Sequence, residues 1–184
     1  NAREARKILK EGKTVIVLSL EGAAATLESP EDFHRWVEER GLAIVTPVHL
    51  TPDHLGGNAL MNIVNSLANS TLDFLASVWA TRGSCLRDFC KSMYGFTGDG
   101  DHVVDELLRR KVWIDVAHSN EIEVQSLLKK FEGGTSATKG KPLPLLCTHT
   151  QLREFFPAER GLGQPEINYL RKYDGIVGLI PSQF

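Results

Sequence analysis

The sequence predicts an α/β fold with a parallel sheet, on two observations. Apolar runs of strand length alternate with helix-like segments along the whole chain, and four of those runs close on an ionisable side chain. Alternation supplies the crossover that every parallel strand pair needs. About five strand-like runs can be counted, whereas a closed (β/α) barrel has eight, so the pattern alone leaves an open sheet and a barrel both standing.

The first ten or so residues form a charged helix stopped at Gly12, and residues 13–20 form a strand dense in Val, Ile and Leu, expected to be buried on both faces. Ser29, Pro30, Glu31 and Asp32 make a helix start: a cap, a proline in the first turn and acids at the positive end of the dipole. That helix runs to about Arg40 and ends at Gly41, and residues 42–48 are strand-like and lead to His49. Residues 59–93 read as two helices broken around Thr81, Arg82, Gly83 and Ser84, followed by a glycine-rich turn and a helix over residues 101–110. Residues 112–117 are the third strand, closed by His118. A helix opens at Ser119, Asn120 and Glu121, residues 133–141 form a flexible surface loop, and residues 143–148 are the fourth strand, directly followed by His149. A short helix over residues 164–172 and a fifth strand over residues 175–180 complete the pattern.

With 184 residues, 42% hydrophobic and 24% charged, the chain reads as one domain over residues 1–184 with a real core. A net charge of −2 with scattered Lys and Arg excludes a nucleic-acid partner, and no apolar run approaches the roughly 20 residues that span a bilayer. Three cysteines without a CxxC pair signal neither a zinc ribbon nor a full disulfide framework, and a Cys85–Cys90 bridge is left open. The opening Asn1 leaves room for a removed leader or an upstream segment.

In parallel α/β folds functional side chains collect at the carboxyl ends of strands. Glu21, His49, His118 and His149 all stand there. A lone histidine at a strand end is more often a hydrogen-bonded structural residue, but imidazoles and a carboxylate converging from different strands are the donors a zinc-type cation takes. His34 and His102 read as surface residues, and His54 sits in a loop that either borders the site or has no role.

Together these blocks resemble the membrane (renal) dipeptidase family of zinc peptidases, in the amidohydrolase superfamily. Leu20-Glu21-Gly22 is similar to the family's strand-end "EG", and Thr46-Pro47-Val48-His49 to its "LTLTH". The stretch from Gly95-Phe96-Thr97 to Ile114-Asp115-Val116-Ala117-His118-Ser119 resembles the block ending in "IDVSH", Thr148-His149-Thr150 resembles "SHS", and Arg160 falls where the family has an arginine. The resemblance implies a partial (β/α)8 TIM barrel and a zinc dipeptidase that hydrolyses a small peptide with a metal-activated water. It implies Glu21 as the ligand bridging two zinc ions, His118 and His149 as ligands of one of them, and a homodimer as the oligomeric expectation. His49 would hydrogen-bond the oxygen that gains charge, and Arg160 would hold the substrate carboxylate. Asp115 would support the ligands from behind, an alternative to a buried acid simply paired with a neighbour.

The sequence departs from the family in lacking the HxD pair that holds the other ion and the late aspartate that moves protons. Protein ligands for only one of the two zinc ions are therefore visible. Those absences fit the middle part of a longer barrel or a homologue that has lost one metal. Two rival readings follow: another amidohydrolase activity such as a lactonase or deaminase, and a non-catalytic barrel module used for binding.

Overall fold

A computed structural model describes residues 2–134 and 138–180. The centre of the expected flexible loop, residues 135–137, lies outside the described residues. Five strands are present: β1 (Leu18–Glu21), β2 (Leu42–Thr46), β3 (Trp113–Ile114), β4 (Leu146–Thr150) and β5 (Ile176–Leu179). They form two parallel sheets, ordered β1-β2-β3 and β4-β5. A parallel bridge between Asp115 and Leu146, with Val116 N donating to Leu146 O at 3.0 Å, carries the pairing across from β3 to β4. Each strand thus has its successor in sequence as a neighbour.

The helices are α1 (Ala2–Lys10), α2 (Pro30–Phe33), α3 (Ile63–Asn69), α4 (Thr71–Ala80), α5 (Gly98–Arg109), α6 (Glu121–Gly133) and α7 (Gln164–Tyr173). Ser29 caps α2 as expected, in a reciprocal pair with Asp32, and α2 continues as a wide turn over His34–Glu39. Asn120 caps α6 by the same device, exchanging bonds with Glu123. Val103, Val104 and Leu107 of α5 and Val124, Leu127 and Phe131 of α6 recur at helical spacing and are buried. They meet Val45 and Ile114 from the sheet in the main core. Burying each such side chain contributes about 1.5–3 kcal/mol.

The register explains which strand residues join that core. Leu20, Val45 and Ile114 are aligned and share the helix-covered face, whereas Ser19, Ile44 and Trp113 share the other. Trp113 is 44% exposed on that open face. The expectation that the first strand is buried on both faces is therefore corrected: it is the edge of its sheet, with one row of side chains uncovered, and Ile16 and Val17 precede it in solvent.

Residues 59–93 also differ from expectation. The helical break falls at Ser70, between α3 and α4, and beyond Ala80 there is only a single tight turn over Ser84–Arg87. A Cys85–Cys90 disulfide closes that segment, and buried carboxylates hold its backbone where a second long helix was expected. Asp73 accepts from Met93 N at 2.7 Å, and Glu159 accepts from Leu60 N at 2.9 Å, Ser92 N at 2.7 Å and Glu121 N at 3.2 Å. At the far edge Gly178 of β5 lies so near β4 that a Cβ there would stand 2.0 Å from the Thr148 carbonyl oxygen.

Burial pushes the Glu159 carboxyl up to about 7 and that of Glu123 up to about 9. A raised acid prefers its protonated form in the fold, so stability falls as pH climbs from the unfolded value of 4.5 through the folded one. His118, held neutral by the fold, works the opposite way below its ordinary 6.5, so the decline above pH 7 belongs mainly to Glu123. Thermal unfolding should show a melting temperature that drops between pH 7 and 9, with a shallower drop in Glu123→Gln. Equal slopes in the two proteins would contradict this assignment.

Candidate metal centre

The carboxyl ends of four consecutive strands deliver the site. Glu21 is the last residue of β1, and Gly22 after it takes a positive φ of 79°. A Cβ at Gly22 would stand 3.3 Å from the His49 Cβ, so the glycine lets His49 come in beside the glutamate. His49 follows β2 and His118 follows β3, the latter with φ 67°. This left-handed backbone costs a non-glycine residue roughly 1–2 kcal/mol. It is held by Ala59 N donating to the His118 carbonyl at 2.7 Å and by Ser119 N donating to Val116 O at 3.1 Å. His149 was expected just past the fourth strand; the strand in fact extends through it to Thr150, because Thr150 pairs with Leu179 of β5.

Three donor atoms form a compact triangle. Glu21 Oε1 lies 2.8 Å from His118 Nε2 and 3.1 Å from His149 Nε2, and the two histidine nitrogens are 2.9 Å apart. His49 Nε2 stands farther out, 3.7 Å from the same glutamate oxygen. Arg160, in the loop after β4, donates from Nη2 to His118 Nε2 at 3.1 Å. Every sequence-predicted site residue therefore reaches one cluster, with His118 buried at its floor and Glu21 and His49 opening to solvent. His54 does not join it; it lines a separate hollow beside Asp99 and His102. His34 is exposed and bonded to Glu38.

Burial first, then Arg160 and the two other imidazoles, depress the His118 pKa to about 3. The ring is neutral near pH 7, with a lone pair to offer. Burial also lowers the Arg160 pKa, against the opposing effect of Glu21, while the buried Cys147 thiol is pushed up to about 12 and has no part as a nucleophile.

The donor set fits a cation. Ligands about 2.0–2.2 Å from a tetrahedral zinc stand roughly 3.3–3.6 Å from one another, a few tenths of an ångström longer than the sides of this triangle, which a small outward movement of the side chains would supply. Because an arginine N–H can only donate, His118 Nε2 is an acceptor, and it faces a carboxylate that is an acceptor too. Positive charge is what such a convergence lacks. Arg160 supplies some, and a cation at the His118 lone pair would take the guanidinium's place there. Glu21, His49 and His118 also have ligand atoms all within 4.8 Å of one another, so His49 offers a looser alternative to His149. The shorter distances favour His149.

No protein-family model matches the chain. It is 25% identical over 169 residues to an uncharacterized protein in the PQQ-III 3'region of Acinetobacter calcoaceticus, covering 92% of this chain and 43% of that protein. Among solved structures it superposes on the dipeptidase AC, a metallopeptidase of family M19, with a TM-score of 0.67 and 23% identity over 97% of this chain and 43% of that one. The fold matches part of this M19 metallopeptidase. A metallopeptidase from Rhodobacter sphaeroides, liganded with a phosphinate mimic of the dipeptide L-Ala-D-Ala, gives a TM-score of 0.65 at 21% identity, over 97% of this chain and 41% of that one. The probable dipeptidase PvdM from Pseudomonas aeruginosa gives 0.66 at 16%, over 96% and 36%. The chain thus spans less than half the length of each of these relatives.

Two contributors had no sequence signal of their own. Thr148 bonds to His149 Nδ1 at 2.9 Å, and Glu159, the residue before Arg160, accepts from Leu60 N and Ser92 N. Asp115 was visible as a candidate support, and it lies at the centre of a hydrogen-bonded group. Its carboxylate, 1% exposed, accepts from Thr46 Oγ1 at 2.9 Å, Ala117 N at 3.0 Å, Thr148 N at 2.9 Å and the Thr148 hydroxyl. No cationic side chain is among these partners. Asp115→Ala should therefore destabilise the fold by about 3–5 kcal/mol in denaturant unfolding, because two buried donors, Thr46 Oγ1 and Ala117 N, and two part-buried ones on Thr148 lose their shared acceptor. A loss below about 1 kcal/mol would show that the strand ends hold together without it.

Proposed function

We propose that this chain is part of a (β/α)8 barrel of the metal-dependent hydrolase type and that it acts as a zinc dipeptidase on short peptides. The observation that carries the reading is the triangle of Glu21, His118 and His149 donor atoms with sides of 2.8, 2.9 and 3.1 Å. The sequential parallel order of the strands and the likeness to metallopeptidase folds support it. Two imidazole nitrogens and a carboxylate oxygen suit zinc, and in this reading Glu21 is the ligand that a second ion would share.

When bound, the cation supplies Lewis acidity, which makes water a nucleophile near neutral pH. The chain's own residues do the rest. His49, half exposed at the rim, donates a hydrogen bond to the carbonyl oxygen of the peptide as negative charge gathers there. Arg160 offers its planar guanidinium to the substrate's terminal carboxylate, and its Nε is buried without a protein partner in this arrangement. His118, neutral by burial, keeps its lone pair for the cation across the physiological range.

A second reading, in which His49 is itself a ligand, has the looser group of Glu21, His49 and His118 behind it. The two differ in what His49→Gln does. As a hydrogen-bond donor to the developing charge, His49 should cost about 10²–10³-fold in kcat with metal content unchanged. Loss of zinc from that variant would transfer the ligand role to it.

Metal analysis alongside dipeptide hydrolysis tests the whole assignment. Glu21→Gln should lower both zinc content and turnover, since a neutral amide is a poor ligand, and full activity in that variant would sink the reading. Arg160→Ala should raise KM by about 10–150-fold, the worth of a hydrogen bond to a charged group, with zinc content intact. Zinc lost in step with binding would show that Arg160 serves the metal instead.

A further inference from the structure

We propose that Thr148 is a positioning residue: its hydroxyl relays Asp115 to His149 and fixes which nitrogen of that imidazole faces the cluster. The inference rests on the reading of His149 as a metal ligand and follows from counting hydrogens. Asp115 is an acceptor with its lone pairs filled: Oδ1 takes Ala117 N and Thr148 N, and Oδ2 takes the hydroxyls of Thr46 and Thr148. Thr148 has one hydroxyl hydrogen, and it is spent on Asp115. Toward His149 Nδ1, 2.9 Å away, the same oxygen can therefore only accept.

It follows that Nδ1 carries the proton. In the neutral ring Nε2 then bears the lone pair, and Nε2 is the atom that stands 3.1 Å from Glu21 Oε1 and 2.9 Å from His118 Nε2. In the other tautomer Nε2 would donate to Glu21 and have nothing left for a cation. Thr148 is well suited to enforce the choice, because its backbone N–H and its hydroxyl are both tied to the one buried carboxylate. The β-branched side chain also has a restricted χ1.

The test uses the full chain with three substitutions, Thr148→Val, Thr148→Ala and Thr148→Ser. In the zinc-free protein, imidazole nitrogen NMR should show His149 as the Nδ1–H tautomer in the wild type and Thr148→Ser, and a mixture or the Nε2–H tautomer in Thr148→Val and Thr148→Ala. Zinc affinity, read by competition with a chromophoric chelator, should fall about 10–100-fold in Thr148→Val and recover in Thr148→Ser. An unchanged Nδ1–H tautomer in Thr148→Val, or unchanged zinc affinity in it, overturns the relay. Failure of the wild type to bind zinc would instead overturn the ligand reading, and the zinc-free NMR comparison would still decide the tautomer.

Discussion

One buried carboxylate governs the arrangement. Asp115 draws hydrogen-bond donors from Thr46 at the end of β2, Ala117 just beyond β3 and Thr148 within β4 onto its two oxygens, at a point where the β3–β4 pairing is a single bridge. Parallel strands separated by long crossovers have no local reason to end level with one another. A shared acceptor gives them one, and the low local dielectric makes each charged bond worth more than its counterpart in water. Glu21 enters by register, since it pairs with Thr46, whose hydroxyl is one of the four donors. A path of short contacts therefore runs from the glutamate through Thr46, Asp115 and Thr148 to His149.

A second set of acids does for the loops what Asp115 does for the strands. The excursion between β2 and α5 has little regular structure of its own beyond α3 and α4, so much of its backbone polarity needs partners from elsewhere. Glu159 and Asp73 meet part of that need, and Asn120 adds a bond from Nδ2 to Tyr94 O at 2.6 Å. Because Glu159 is sequence neighbour to Arg160, the acid that organises the loops also sets where the guanidinium starts from. Burial strains this solution, as the raised pKa of Glu159 records, and its three backbone N–H partners oppose that rise.

The strand-end residues were legible because each breaks an apolar run with a polar side chain, a contrast that survives in one dimension. The faces of α5 and α6 were legible for the same reason at helical period. Burial of β1 was misjudged because an all-apolar run looks alike whether one or both of its faces is covered; only the partners decide. Residues 59–93 were misjudged because their shape is dictated from afar: Leu60 and Ser92 are held by Glu159, 99 and 67 positions away. Thr148 was silent in sequence for a related reason. A threonine in a strand is ordinary, and its importance arises only from the carboxylate 33 positions earlier that takes its proton.

The closeness of β5 to β4 carries a consequence for how variation in this protein should be interpreted. Gly178 contributes nothing to the cluster, yet the contact it permits is with the carbonyl of Thr148, one residue before a site histidine. Adding a methyl group there would press on the peptide that orients His149. Tolerance to substitution in this protein therefore does not fall off simply with distance from the reacting atoms. It follows the packing of the strands, and a position with no side chain at all can be among the least forgiving.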